Sequence, residues 1–147
     1  MSGLLPFRLS CAILDRRVQS YMPLPPKTVM IIEDEPDIAE LFAEMMRLNG
    51  YHVLKTYTST PALTLIAQEK PDVIILDIMM PDISGLEVLR YIRGEPSLAA
   101  TPVIIVSAKS MPTDIQGGLE AGATVYLTKP VSYADLKEAV DRAVQGA

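Results

Sequence analysis

The sequence predicts an α/β fold built on a parallel β-sheet, and three observations carry that prediction. From Lys27 onward, strand-like and helix-like patterns alternate five times, the signature of consecutive βαβ units. The strand segments are short unbroken apolar runs, above all Val73-Ile74-Ile75-Leu76, and such runs belong to strands covered on both faces. Four of these runs end in side chains that carry chemistry. Val29-Met30-Ile31-Ile32 leads into Glu33-Asp34-Glu35, the central run into Asp77, Val103-Ile104-Ile105-Val106 into Ser107, and Thr124-Val125-Tyr126-Leu127 into Thr128-Lys129-Pro130. In open α/β sheets, ligands bind in the crevice beyond the carboxyl ends of the strands. An isolated aspartate there would be a solvated loop residue. Acids, a hydroxyl and an ammonium at corresponding ends of four strands make a candidate site.

Each element has its own local reasons. Pro36 suits the opening turn of a first helix, and Asn49-Gly50 supplies its stop. Ile38, Leu41, Phe42, Met45 and Leu48 repeat at helical spacing and are expected to form its apolar face. Residues 51–55 make a short second strand. Thr60 is expected to cap a second helix begun by Pro61, with Leu63, Ile66 and Ala67 facing the core. Pro71-Asp72 leads into the central strand, and Pro81 halts any regular continuation after Asp77. Asp82-Ile83-Ser84-Gly85 is turn chemistry, with Gly85 expected to give backbone freedom beside the site. The third helix then packs through Leu86, Leu89 and Ile92.

Residues 94–102 form a polar connection into the fourth strand. The fourth helix, near residues 113–121, has only Ile115 and Leu119 as core anchors. It also contains Gly117-Gly118, each costing about 1 kcal/mol of helix propensity relative to alanine. It is expected to be the least stable helix. After the fifth strand, Ser132 and Asp135 form a capping box. The last helix packs through Leu136, Ala139, Val140, Ala143 and Val144.

Composition narrows the function. A chain of 147 residues is expected to fold as one domain with a sizeable core. The net charge of −5 argues against a nucleic-acid surface, which needs clustered Lys and Arg. Cys11 stands alone, so no intramolecular disulfide or cysteine metal site can form. With His52 as the single histidine, zinc has too few soft ligands, and a structural role in the second strand suits His52 better. No run approaches the roughly 20 apolar residues needed to span a bilayer, so no membrane association is expected. Leu9-Ser10-Cys11-Ala12 faintly resembles a lipoprotein cleavage box, but Arg8 and Asp15-Arg16-Arg17 interrupt it. The expected location is cytoplasmic.

Residues 1–26 are compositionally separate and end in Pro23-Leu24-Pro25-Pro26, which is extended linker chemistry. They are expected to form a disordered tail. Residues 11–21 could make a short amphipathic helix, yet no cap supports it, and Met22 and Met30 are alternative translation starts. The domain is expected to occupy residues 27–147, with no further domain after Pro130.

The site chemistry follows from charge. Glu33, Asp34 and Asp77 would repel one another unless a cation intervened. Mg²⁺ takes oxygen ligands and keeps waters that leave room for a phosphoryl oxygen. Lys129 offers a point charge for the same anion, and Ser107 a hydroxyl donor. A carboxylate so surrounded is suited to accepting a phosphoryl group, a reaction accelerated mainly by positioning and charge neutralisation. Asp77, at the end of the central strand, is the natural nucleophile.

With these residues, residues 27–143 resemble the receiver domain of two-component response regulators, of the stand-alone, chemotaxis-regulator-like kind. The matching pieces are Ile32-Glu33-Asp34-Glu35-Pro36, Leu76-Asp77-Ile78-Met79-Met80-Pro81-Asp82-Ile83-Ser84-Gly85, Val106-Ser107-Ala108-Lys109, Ala121-Gly122-Ala123 and Tyr126-Leu127-Thr128-Lys129-Pro130. Each is weak alone; in this order and spacing they are specific. The resemblance implies a doubly wound five-stranded parallel sheet of flavodoxin-like order 2-1-3-4-5 with five helices. It implies that Asp77 accepts phosphate from a histidine kinase or phosphotransfer protein, with Mg²⁺ held by Asp34, Asp77 and the Met79 carbonyl, assisted by Glu33. Lys129 would bind the phosphate, and the Lys129–Pro130 peptide would be cis. Ser107 and Tyr126 would pass the signal to the face of the fourth helix, fifth strand and fifth helix, for a downstream protein or a homodimer. Such a domain is a switch rather than an enzyme, with self-phosphorylation and slow autodephosphorylation only.

Two departures stand out. Glu33 replaces the commoner aspartate, and the combination of Met79 and Lys109 leaves the phosphoryl lifetime open. Glu35, Asp82 and Lys109 read as solvated flanks. Among rivals, a phosphorylation-independent binding module would not need the full acceptor set. A haloacid-dehalogenase-type phosphatase needs a second aspartate where Met79 stands. A nucleotide-binding domain wants a glycine-rich turn after the first strand, and residues 33–37 contain no glycine.

Overall fold

The computed structural model describes residues 24–146. The helix considered at residues 11–21, and all but the last three residues of the expected tail, lie outside them. Strands β1 (Thr28–Ile32), β2 (His52–Thr56), β3 (Val73–Leu76), β4 (Val103–Ser107) and β5 (Val125–Thr128) form one parallel sheet of order β2-β1-β3-β4-β5. Between and after them come α1 (Pro36–Leu48), α2 (Ser59–Glu69), α3 (Gly85–Gly94), α4 (Pro112–Glu120) and α5 (Tyr133–Gly146). The doubly wound fold with order 2-1-3-4-5 and five helices is as expected.

The unbroken apolar strands bury alternate residues on opposite faces. Val29 and Ile31 of β1, with Val73 and Ile75 of β3, face a core completed by α1 and α5. Met30, Ile32, Ile74 and Leu76 face a second core, completed by α2, α3 and Leu98. Full burial of each such side chain contributes about 1.5–3 kcal/mol relative to exposure. The register pairs Ile32 with Leu76 and Ser107 with Thr128, so the chemistry-bearing residues emerge at one end of the sheet. The ladder runs one residue further there. Glu33 N donates to Thr56 O at 3.1 Å and Asp77 N to Ile32 O at 3.0 Å.

Several helices sit differently from the sequence expectation. The buried face of α1 is Ala39, Phe42, Ala43 and Met46, while Leu41 and Leu48 are 50% and 78% exposed. The small Ala39 and Ala43 let the helix close on the sheet beside Phe42 and Met46, which leaves Leu41 and Leu48 turned outward. Helix α2 starts at Ser59, and Thr60 does not cap it; the carboxylate of Asp82 accepts from Ser59 N and Thr60 N instead. Leu119 of α4 is 46% exposed, and Gly118 is the residue that helix buries. A Cβ on Gly118 would lie 2.7 Å from the Tyr126 ring, so only glycine lets α4 approach β5 this closely. Gly85 likewise serves space rather than conformation, because an added Cβ would meet the Asp77 carbonyl oxygen at 2.2 Å.

Helix α5 buries Leu136, Ala139, Val140 and Ala143, and Ser132 Oγ accepts from Asp135 N at 3.0 Å. Arg93, in the last turn of α3, has no counterpart in the sequence reading. Its guanidinium donates to the carbonyls of Thr101 at 2.6 Å, Gly122 at 2.9 Å and Ala99 at 3.2 Å. Those carbonyls belong to the segments entering β4 and β5.

Candidate functional site

Glu33 and Asp77 cap neighbouring strands β1 and β3, and both are buried, at 1% and 5% exposure. Lys129 follows β5 and reaches between them. Its Nζ donates to Glu33 Oε1 and, at 3.2 Å, to Asp77 Oδ2. The Lys129–Pro130 peptide is cis, and Lys129 N donates to Ser107 O at 2.9 Å. The other Asp77 oxygen, Oδ1, accepts from Met79 N at 3.1 Å. Both oxygens of Asp77 are therefore held, and the carboxylate is fixed in orientation at the sheet end.

Electrostatics show a shortage of positive charge. Burial pushes the Glu33 carboxyl up to about 7, the Lys129 contact works against that rise, and nearby Asp77 adds to it. Burial disfavours the Lys129 ammonium, but Glu33 and Asp77 outweigh it and hold its pKa above the ordinary lysine value. Carboxylate oxygens of Glu33, Asp34 and Glu35 lie within 4.8 Å of one another, with Asp34 half-buried and Glu35 exposed. Glu35 N donates to Glu33 Oε2 at 3.3 Å, so the turn after β1 folds back on its own acid. Glu35, read from sequence as a flank, belongs to this cluster; its position beside two other acids was the available signal.

A cleft of about 380 Å³ opens on the site, lined by Asp34, Ile78, Met79, Met80, Pro81, Ser84 and Lys109. Met79 is 53% exposed at its rim. Ser107 is fully buried, and its Oγ accepts from Lys109 N at 3.2 Å. Tyr126 is half-buried, its ring lies against Gly118, and its hydroxyl donates to Lys109 O at 2.7 Å. Burial raises the Tyr126 phenol above its usual value. Glu33, Asp77 and Lys129 thus meet directly, Asp34 joins through the acidic cluster, and Ser107 and Tyr126 converge on the backbone of Lys109. Two residues read from sequence as solvated flanks do more than that: Lys109 supports Ser107 and Tyr126 through its backbone, and Asp82, although exposed, accepts from Ser59 N and Thr60 N.

A doubly wound parallel sheet with a buried carboxylate–lysine cluster beyond β1, β3 and β5 defines a flavodoxin-like domain with an anionic strand-end site. The family model of the response regulator receiver domain matches residues 29–141, and the chain belongs to that family. It is 35% identical over 107 residues to the polar-differentiation response regulator DivK of Brucella anthropi, covering 73% of this chain and 87% of that one. It is 38% identical over 112 residues to a probable transcriptional regulatory protein, TcrX of Mycobacterium tuberculosis, covering 76% of this chain and 47% of that one. A putative response regulator from Chloroflexus aurantiacus superposes with a TM-score of 0.79 at 29% identity, over 82% of this chain and 99% of that one. The chemotaxis response regulator CheY4 of Vibrio cholerae gives 0.76 at 26% identity, over 81% and 99%.

The chain therefore carries a receiver, a signalling domain of two-component systems. Among the described residues, no helix is long and apolar enough to cross a membrane. Receivers use Mg²⁺ at an acidic pocket, and the donor set here fits a hard cation. It is made of carboxylate oxygens, and a buried Glu33 held at about 7 has one ammonium to balance it and Asp77.

Proposed function

We propose that this receiver is a phosphorylation-controlled switch of a phosphorelay, occupying residues 27–147, with Asp77 as phosphoacceptor. The observation that carries this reading is the fixed Asp77 carboxylate, with Lys129 on Oδ2 and Met79 N on Oδ1. In the transfer, an Asp77 oxygen forms a bond to phosphorus as the bond from phosphorus to the donor histidine nitrogen breaks. The electron pair of that bond stays on the imidazole nitrogen, which leaves as the unphosphorylated histidine side chain of the kinase or phosphotransfer protein. Lys129 is placed to move from carboxylate to phosphoryl oxygen, and it neutralises charge where charge gathers. Asp34, Asp77 and the Met79 carbonyl would hold Mg²⁺, with Glu33 assisting, and the cation would neutralise phosphoryl oxygens.

Ser107 and Tyr126 are the switch pair. The Ser107 hydroxyl turns toward the new phosphoryl oxygens, and the Tyr126 ring follows inward, altering the face made by α4, β5 and α5. A downstream protein or a second copy reads that face. Autodephosphorylation is slow, no other catalysis is involved, and the setting is cytoplasmic. Incubation with Mg²⁺ and acetyl phosphate, followed by mass spectrometry, tests the reading. One phosphoryl group is expected on Asp77, and Asp77→Ala should remain folded and unlabelled. Equal labelling of that variant at another residue would remove Asp77 from the role.

A further inference from the structure

The loop from Asp77 to Ser84 is tied down at both ends. On the site side, Met79 N holds Asp77 Oδ1, while Met80 N and Gly85 N both donate to Ile78 O, at 3.0 and 2.9 Å. On the far side the ties run to the start of α2. Asp82 Oδ1 accepts from Ser59 N at 3.0 Å, and Oδ2 accepts from Thr60 N at 2.9 Å and from Thr60 Oγ1 at 3.0 Å. In return, the buried Ser59 hydroxyl donates to Ile83 O at 2.6 Å. Thr58, at the N-cap of α2, makes no capping bond with its own side chain. The free N–H groups of the first turn are thus met by a carboxylate more than 20 residues away. These backbone donors hold the Asp82 carboxyl well below the usual carboxylate range.

We propose that Asp82 is a positioning residue for the phosphoacceptor: by capping α2 across the loop, it fixes where Met79 stands relative to Asp77. Asp82 touches none of the reacting atoms. Its effect passes through the short span of loop to Met79, whose N–H orients Asp77 and whose carbonyl is a proposed Mg²⁺ ligand. Without Asp82 the loop keeps its attachment to β3 and loses three of its four bonds to α2. The inference rests on the phosphoacceptor reading of Asp77.

Two measurements on the full chain test it. Amide hydrogen exchange without metal reads loop position directly, and titration with beryllofluoride in the presence of Mg²⁺ reads the assembled site. In Asp82→Ala, the amides of residues 79–85 should exchange faster, and beryllofluoride should bind about tenfold more weakly, at the lower end of what supporting contacts contribute. Asp82→Asn keeps an oxygen for Ser59 N and should recover part of the affinity; it also serves if the alanine variant fails to fold. Tyr51→Phe, which removes the bond to Asp141 away from the site, should lower the unfolding midpoint and leave beryllofluoride affinity unchanged. Faster exchange confined to residues 59–69 with unaltered affinity would make Asp82 a helix cap alone and overturn the role. Wild-type protein that binds no beryllofluoride would overturn the phosphoacceptor reading, and the positioning role with it.

Discussion

A Cβ on Gly85 would lie 2.2 Å from the Asp77 carbonyl oxygen and 2.7 Å from the Ile78 Cα, and neither backbone atom can rotate away. Gly85→Ala must therefore push α3 off the end of β3. The expected cost is about 1–3 kcal/mol, read as a lower denaturant midpoint, with weaker acetyl phosphate labelling of Asp77 as the strand end shifts. Residues at this scale were legible in the sequence where a single position defined them. Asp77, Glu33, Ser107 and Lys129 each stand one or two places past an apolar run, and parallel strand direction then puts them at one end of the sheet. Asp82 and Arg93 were illegible for the converse reason. Their partners lie in other segments, Ser59 and Thr60 for one and Ala99, Thr101 and Gly122 for the other, and local pattern carries no record of such pairings.

At the scale of elements, α4 offers the sharpest contrast, because its two adjacent glycines have opposite surroundings. Nothing lies within 4 Å of a Cβ built on Gly117, so Gly117→Ala should stabilise the protein by about 0.5–1 kcal/mol through helix propensity and a less free unfolded chain. Gly118→Ala meets the Tyr126 ring at 2.7 Å and Ile105 Cδ1 at 3.0 Å, and should lower stability while turning the ring away from Lys109. Denaturant unfolding of the two variants checks the signs; stabilisation by both would mean that α4 can lift from β5 at little cost. Existence and order of the elements were legible because apolar period and Pro and Gly punctuation agree along the chain. Facing was less so. In α1, helical spacing pointed to Leu41 and Leu48 as well as to Phe42, whereas close approach to the sheet selects Ala39 and Ala43 beside Phe42 and Met46.

For the molecule as a whole, the unbroken apolar strands already implied two covered faces, and the two cores bear that out. Which strands would be neighbours was not in the periodicity; it came from the family resemblance, because hydrophobic pattern encodes burial and not adjacency. Among the described residues, both cores are completed by residues after Thr28. Pro23-Leu24-Pro25-Pro26 reads as linker chemistry, so a chain beginning at Lys27 should keep its thermal midpoint and its acetyl phosphate labelling, and a loss of several degrees would show that residues 1–26 contribute to the fold.

Arg93 bears on how such a fold can move. By donating to Gly122 O beside the C-terminal end of α4, its guanidinium ties that end to α3 and to the segment entering β4. The opposite end of α4 is held by an exposed bond from Met111 N to Asp114 Oδ2 at 3.2 Å. One end of the helix is thus tied to two other segments through a guanidinium, and the other lies next to the Lys109 backbone on which Ser107 and Tyr126 converge. A spin label at residue 113 should consequently travel farther on phosphoryl mimicry than one at residue 120; equal displacement would mean that the helix slides. On that expectation the helix is hung like a door whose handle stands beside the Lys109 backbone.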